Sequence, residues 1–241
     1  MTADATRSDG RREWLLAIDT ATTRAIVAAG ALDGTPLGIT TWPAGRTHGE
    51  QLLPAIGRLH GEANLRRSRI RGVIVGTGPG AFTGLRVGIA TAKALAHELG
   101  VPIVGVSTGE ALLAAASDTS EPAGASRLGA RRLLLLPAGP NDRQAVRAGD
   151  PVVLLPGGTE PDLAPDEELI AVDLDDRAPA DAVARGERAR DGLGQALLRL
   201  GAARLGRGDV DDLARLVPEY VSLPRGVRAE TGEVAWSRDH R

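Results

Sequence analysis

Apolar residues come in short bursts along the first half of the chain, and their spacing switches between two periods. WLLAID (Trp14 to Asp19) is an unbroken apolar run that ends at DTATT, and RAIVAAG follows; the pair predicts two strands joined by a tight turn. LDGTP (Leu32 to Pro36) carries an Asp-Gly hairpin signal into LGITTW, so three antiparallel strands are expected to open the chain. In THGEQLLPAIGRLH the spacing changes. Leu52, Ala55, Ile56 and Leu59 fall on one helical face, and Thr47 followed three residues later by Glu50 is a capping-box pattern. RGVIVGTG (Arg71 to Gly78) predicts a buried strand, Leu85 to Leu99 a helix, VPIVGVST a further strand and GEALLAAA a further helix. The order is βββαβαβα, with the later strands parallel because a helix separates each from the next.

The rest of the chain is less regular. Residues 1–13 are polar and are expected to form a disordered extension to a first domain over 14–116. SDTSEPAGASRLGA, residues 117–130, has a linker composition. Beyond it, in 131–241, RLLLLP, PVVLLP and ELIAVDL predict strands, and Ala180 to Leu205 predicts a helix interrupted by glycines. This half reads as a smaller, divergent α/β unit with a polar tail.

Candidate chemistry centres on GTGPGAFTGLRVGIATAKALA, Gly76 to Ala96. Gly76-Thr77-Gly78-Pro79-Gly80-Ala81 fits the dinucleotide pattern G-x-G-x-x-A between a strand and a helix. That match is weak. The next strand ends in Ser107 and Thr108 where an acid is needed for a ribose, and Pro79 removes an N–H from a loop that would donate them. No Lys followed by Ser or Thr closes the loop, so it is not a Walker A motif. The alternative is packing. Gly84, Gly88, Ala92 and Ala96 recur every four positions and give one helix face a flat small-residue stripe suited to another helix. Both readings stand on these residues.

Composition narrows the functional classes. Apolar residues make up 42 % and charged residues 25 %, which is ordinary for a soluble globular protein. Aromatic residues make up 2 %, too few for base-stacking platforms. A formal net charge of -2 gives no global field to attract nucleic acid, so any tRNA role is expected to be indirect. With no cysteine, disulfides, thiolate metal sites and a cysteine nucleophile are excluded. No apolar run approaches the ~20 residues of a membrane span and the N-terminus lacks the apolar stretch of a signal peptide, so the expected compartment is the cytoplasm, with no membrane partner.

LLAIDTATTRAIVAAG, RTHGEQLLPAI and VIVGTGPGAFTGLRVGIATAKALAHELGVPIVGVST, taken together and in that order, resemble the TsaB (YeaZ) family over about residues 14 to 112. This family is the partner subunit of the bacterial machinery that makes threonylcarbamoyladenosine in tRNA. The resemblance implies an α/β fold of the actin, Hsp70 and sugar-kinase (ASKHA) type, with two related domains each holding a mixed sheet and helices. It also implies a non-catalytic subunit that binds the catalytic paralogue TsaD, with a TsaE-like ATPase docking at the heterodimer and self-association when alone. No intrinsic cofactor is implied; ATP or ADP would lie at the junction with the partners. A free-standing ASKHA-type ATPase or small-molecule kinase is the alternative.

The resemblance implies a helix-on-helix interface, for which periodicity offers the faces of Leu52, Ala55, Ile56 and Leu59 and of Gly84, Gly88, Ala92 and Ala96; the other reading is that these faces cover the chain's own sheet, as one side of each helix must. Nucleotide or phosphate contact would fall to Asp19 and Thr20 in the first hairpin turn and to Gly78, Gly80, Thr83 and Arg86 around the glycine loop, although Asp and Thr in a tight turn equally satisfy their own backbone. TsaD holds a metal through H-x-x-x-H after the strand matching VPIVGVS. The two positions here are Thr108 and Leu112, so no metal site and no catalytic residue are expected. His48 has two readings, a polar contact near the helix start or a solvated first-turn histidine. In the second half, Pro137-Ala138-Gly139 and Gln144-Ala145-Val146 depart from the family's Asp-Ala-Arg and Glu-Val-Tyr, while LVPEYVSLP resembles its Pro-x-Tyr ending.

Overall fold

The structure is a computed structural model and describes residues 12–44, 48–118 and 131–219. The first apolar runs form the strands β1 (Trp14–Asp19), β2 (Arg24–Gly30) and β3 (Pro36–Pro43), followed by α1 (His48–Glu62), β4 (Ile70–Gly76), α2 (Phe82–Leu99), β5 (Ile103–Val106) and α3 (Thr108–Asp118). They make a five-stranded sheet in the order β3-β2-β1-β4-β5. β1 pairs antiparallel with β2 and parallel with β4, and β4 pairs parallel with β5. Every residue of β1 is buried because the sheet is covered on both faces, which explains why its sequence is a continuous apolar run and not an alternation. Trp14, Leu16 and Ile18 face α1 and α2, while Leu15 and Ala17 face α3 and the second half of the chain.

The second sheet comprises β6 (Arg131–Pro137), β7 (Arg143–Val146), β8 (Val153–Leu155) and β9 (Glu167–Ala171), in the order β8-β7-β6-β9. With β6–β7 antiparallel and β6–β9 parallel, it repeats the β3-β2-β1-β4 arrangement of the first sheet. Between β8 and β9, where the first half has α1, residues 156–166 carry no helix. The strand β7 was not legible in the sequence: RQAV is short and half polar, and it is held by pairing on both sides.

The final helix α4 (Ala180–Gly206) is continuous. Its glycines do not interrupt it. A Cβ at Gly186 would collide with the carbonyl of Ala171, and one at Gly201 would press on Ile74, so these positions let the helix lie close against both sheets. Leu193 and Leu197 of α4 share one core with Ile26 and Ile74 of the first sheet and Leu134 and Ile170 of the second. The two halves are therefore locked together by packing, with α3 and α4 between the sheets. After α4 the chain returns along β5, where Asp211 accepts the N–H of Gly105 at 2.7 Å, Arg204 donates to its carbonyl and Leu216 packs against its Cα. This covers an otherwise open sheet edge.

Several expectations fall outside the described residues. These are the capping threonine Thr47, residues 1–11 of the expected extension, 119–130 of the expected linker, and the tail from Tyr220. Ser117 and Asp118, at the start of that linker, are the last residues of α3. α2 begins at Phe82, three residues before the periodic pattern.

Candidate functional site

Asp19 ends β1 and is completely buried. Its Oδ1 accepts the N–H of Ala21 at 2.8 Å and its Oδ2 accepts the hydroxyl of Thr108 at 2.7 Å. The Thr108 hydroxyl in turn accepts the N–H of Gly78 at 3.1 Å, and the Gly78 carbonyl accepts the N–H of Thr108 at 2.6 Å. A Cβ at Gly76 would strike the Asp19 carboxylate, so the first glycine of the loop is required by this close approach. Burial raises the Asp19 pKa from 3.8 to about 6, an effect that the bonds from Thr108 and Ala21 partly oppose.

The neighbouring residues close the space further. Thr20, also buried, donates to the carbonyl of Gly84 at 2.7 Å, and a Cβ at Gly88 would collide with its hydroxyl. Ala81 donates to the carbonyl of Ala21 at 2.7 Å, and Gly80 packs directly on Ala21. Gly78 has a φ of 107° and precedes Pro79 through a cis peptide bond. The two loops expected to flank a phosphate are thus sutured to one another. Asp19, Thr20 and Gly78, expected as nucleotide contacts, are hydrogen-bonded within the protein, and Gly80, expected likewise, packs on Ala21. Thr83 and Arg86 are exposed at the start of α2, and the Arg86 guanidinium lies 4.0 Å from the centre of the Phe82 ring.

The matching turn of the second half is also tied off. Arg177 donates to the carbonyls of Gly139 and Pro140 at 3.2 and 2.9 Å, and the buried Arg143 donates to the carbonyls of Arg177 and Thr159. Among the described residues, no three His, Cys, Asp or Glu side chains are grouped to hold a metal ion. Thr108 and Leu112 are both buried. His60 and His97 belong to different helices, and nothing is described of the side chain of His48.

The expected interface stripes turn inward. Leu52, Ala55, Leu59, Ala92 and Ala96 belong to the core that α1 and α2 form with their own sheet, and Gly84 and Gly88 face the Asp19–Ala21 turn. Ile56 is half-buried at the margin. A helix stripe of small and apolar residues marks the side that must be covered, and here the chain's own sheet covers it. The outward faces carry a different set. Leu53 is 58 % exposed, and with Ile56, Gly57, Thr91, Ala94 and Leu95 it borders a groove of about 640 Å³ between α1 and α2. Trp14, Leu16 and Ile70 of the sheet form its floor, and His60, Arg67 and Glu98 provide polar edges. The available signal was Leu53 itself, an apolar residue next to Leu52 and off the inward stripe.

The family described as TsaD: tRNA N6-adenosine threonylcarbamoyltransferase matches residues 34–138. An uncharacterized protein of Mycobacterium leprae is 43 % identical over 101 residues, covering 41 % of this chain and 28 % of that protein. The tRNA threonylcarbamoyladenosine biosynthesis protein TsaB of Escherichia coli is 37 % identical over 94 residues, 39 % of this chain and 40 % of that protein. These matches span less than half the length of either relative. YeaZ from Pseudomonas aeruginosa superposes with a TM-score of 0.63 at 24 % identity, covering 87 % of this chain and all of that one. The first half of the chain is thus similar to proteins named for tRNA threonylcarbamoyladenosine biosynthesis, and most of the chain shares the fold of YeaZ.

The superposition shows that the chain has the α/β fold of YeaZ, with mixed sheets and helices in both halves. The string GPG-x-FTG-x-R-x-G has a definite local purpose in this chain: it builds the turn that closes over Asp19 and starts α2. No described helix is long and apolar enough to cross a membrane.

Proposed function

We propose that the chain serves the biosynthesis of threonylcarbamoyladenosine in tRNA as a non-catalytic subunit that docks a TsaD-like catalytic partner. The observation that carries this reading is the outward groove between α1 and α2, an apolar surface bordered by Leu53 and Leu95 on two helices whose other sides are already committed to the core. Such a surface suits helix-on-helix packing. The sealed Asp19–Thr108 pair supports the non-catalytic part, since a free-standing ATPase or kinase of this fold would need that carboxylate open to its ligand.

In this reading the same groove serves self-association when the partner is absent. A TsaE-like ATPase docks on the heterodimer and brings ATP or ADP to the junction, where Arg86 offers an exposed cation beside the glycine loop. tRNA is handled by the partner, consistent with the formal net charge of -2, and the compartment is the cytoplasm. The test is nucleoside analysis of tRNA from a strain depleted of the protein. Threonylcarbamoyladenosine should disappear and return with the wild-type chain. Undiminished modification would remove the proposal.

A further inference from the structure

Thr23 and Arg190 converge on a single carboxylate outside the sealed loop. Thr23 closes the β1–β2 turn; its N–H donates to Oδ2 of Asp173 at 2.7 Å, and its hydroxyl donates to Oδ1. Arg190, from the middle of α4, reaches the same Oδ1 at 2.7 Å and the Thr23 hydroxyl at 3.2 Å. Asp173 lies two residues beyond β9 in left-handed backbone, φ 58°, and its side chain is 4 % exposed. A backbone N–H, a hydroxyl and a guanidinium from opposite halves of the molecule thus surround one anion.

This donor set is the kind that proteins use to hold phosphate oxygens. We propose that Thr23 and Arg190 form an oxyanion cradle whose built-in occupant is Asp173, and that the cradle takes a phosphate group once that carboxylate is removed. The backbone that carries the cradle is held independently of Asp173. The Thr23 carbonyl is held by the N–H of Ala44 at 2.6 Å, and Arg190 follows directly on Ala189 and precedes Leu193, both buried in the core shared by the two sheets. The segments that carry the two donors are therefore already in place, which limits the ordering cost of binding to the Arg190 side chain.

There is also unused donor capacity. The Nε of Arg190 is buried and has no hydrogen-bond partner among the described residues, so a tetrahedral anion with more oxygens than a carboxylate has a further N–H to meet. At the mouth, Arg24 pairs with the exposed Asp191, while Glu187 approaches Arg190 at 3.9 Å from the solvent side. In the native chain Asp173 fills the cradle and repels a second anion. The junction of the two halves thereby holds its closed geometry with no phosphate bound.

The test uses the full chain labelled with ¹⁵N, with the Thr23 amide resonance as the readout. Inorganic phosphate should leave the wild-type Thr23 resonance in place. In Asp173→Gly, which suits a positive φ and frees roughly the space of a phosphate group, it should produce a saturable shift. Asp173→Ser run alongside should respond in the same sense and covers failure of the glycine variant to fold. The double variant D173G/R190M should bind at least tenfold more weakly. ATP should act like inorganic phosphate on Asp173→Gly, and adenosine should have no effect. The assignment is overturned if the single variants keep the wild-type circular dichroism and yet phosphate leaves Thr23 unmoved, if wild type responds equally, or if adenosine alone produces the shift.

Discussion

The hydroxyl of Thr108 donates to Oδ2 of Asp19 at 2.7 Å, joining the start of α3 to the end of β1 beneath the glycine loop. Thr108 serves here as an internal partner for a buried carboxylate. Replacing it by valine leaves Asp19 buried with one donor fewer. We expect Thr108→Val to cost roughly 1–3 kcal/mol in chemical denaturation, the usual penalty for an unsatisfied buried group. No loss would mean that water or a shifted backbone supplies the missing donor.

The same carboxylate sets a pH dependence. Burial raises its pKa from 3.8 to about 6, so between these values the folded protein holds a proton that the unfolded chain releases. Stability from this group is therefore greatest at the acid end and declines as pH rises through the window, by up to about 3 kcal/mol. Asp19→Asn lacks this titration. The stability of wild type relative to Asp19→Asn should fall as pH goes from about 4 to about 7; parallel curves would contradict the shift.

Glycines at different places in the fold differ sharply in what they tolerate. A Cβ at Gly76 meets the Asp19 carboxylate, whereas one at Gly61 of α1 meets nothing within 4 Å. Gly76→Ala should lower the melting temperature markedly or prevent folding. Gly61→Ala should raise stability by roughly 0.5–1 kcal/mol through helix propensity, which thermal denaturation reads directly.

The edge of β5 offers a further check. Asp211 accepts the Gly105 N–H at 2.7 Å. Asp211→Ala should cost about 1 kcal/mol and speed hydrogen exchange at the Gly105 amide. Unchanged exchange at that amide would show that the segment after α4 does not protect the strand.

Much of the first half was legible because its strands and helices follow clean periods. The runs Trp14–Asp19 and Arg24–Gly30 are strands with the expected bounds. The second half was harder to read because its elements are short, and because α4 looks broken when its glycines are taken as helix breakers instead of contact points such as Gly186. Periodicity also located the right stripes on α1 and α2 but could not say which surface covers them. Ala92 is buried against the chain's own sheet, whereas Leu53, outside the stripe, faces outward. Asp173 carried no local signal at all, since its partners Thr23 and Arg190 lie 150 and 17 residues away.

In the proposed assembly the outward groove, and not the Ala92 stripe, docks the catalytic partner. The most direct measurement is size-exclusion chromatography with light scattering on the purified chain mixed with the TsaD-like subunit of the same organism. The account predicts a heterodimer with wild type and its loss with Leu53→Glu, a variant expected to keep its melting temperature because the side chain is exposed; Ala92→Leu should instead destabilise the fold. A mixture in which wild type and the partner elute separately, or in which a folded Leu53→Glu binds as well as wild type, would contradict it.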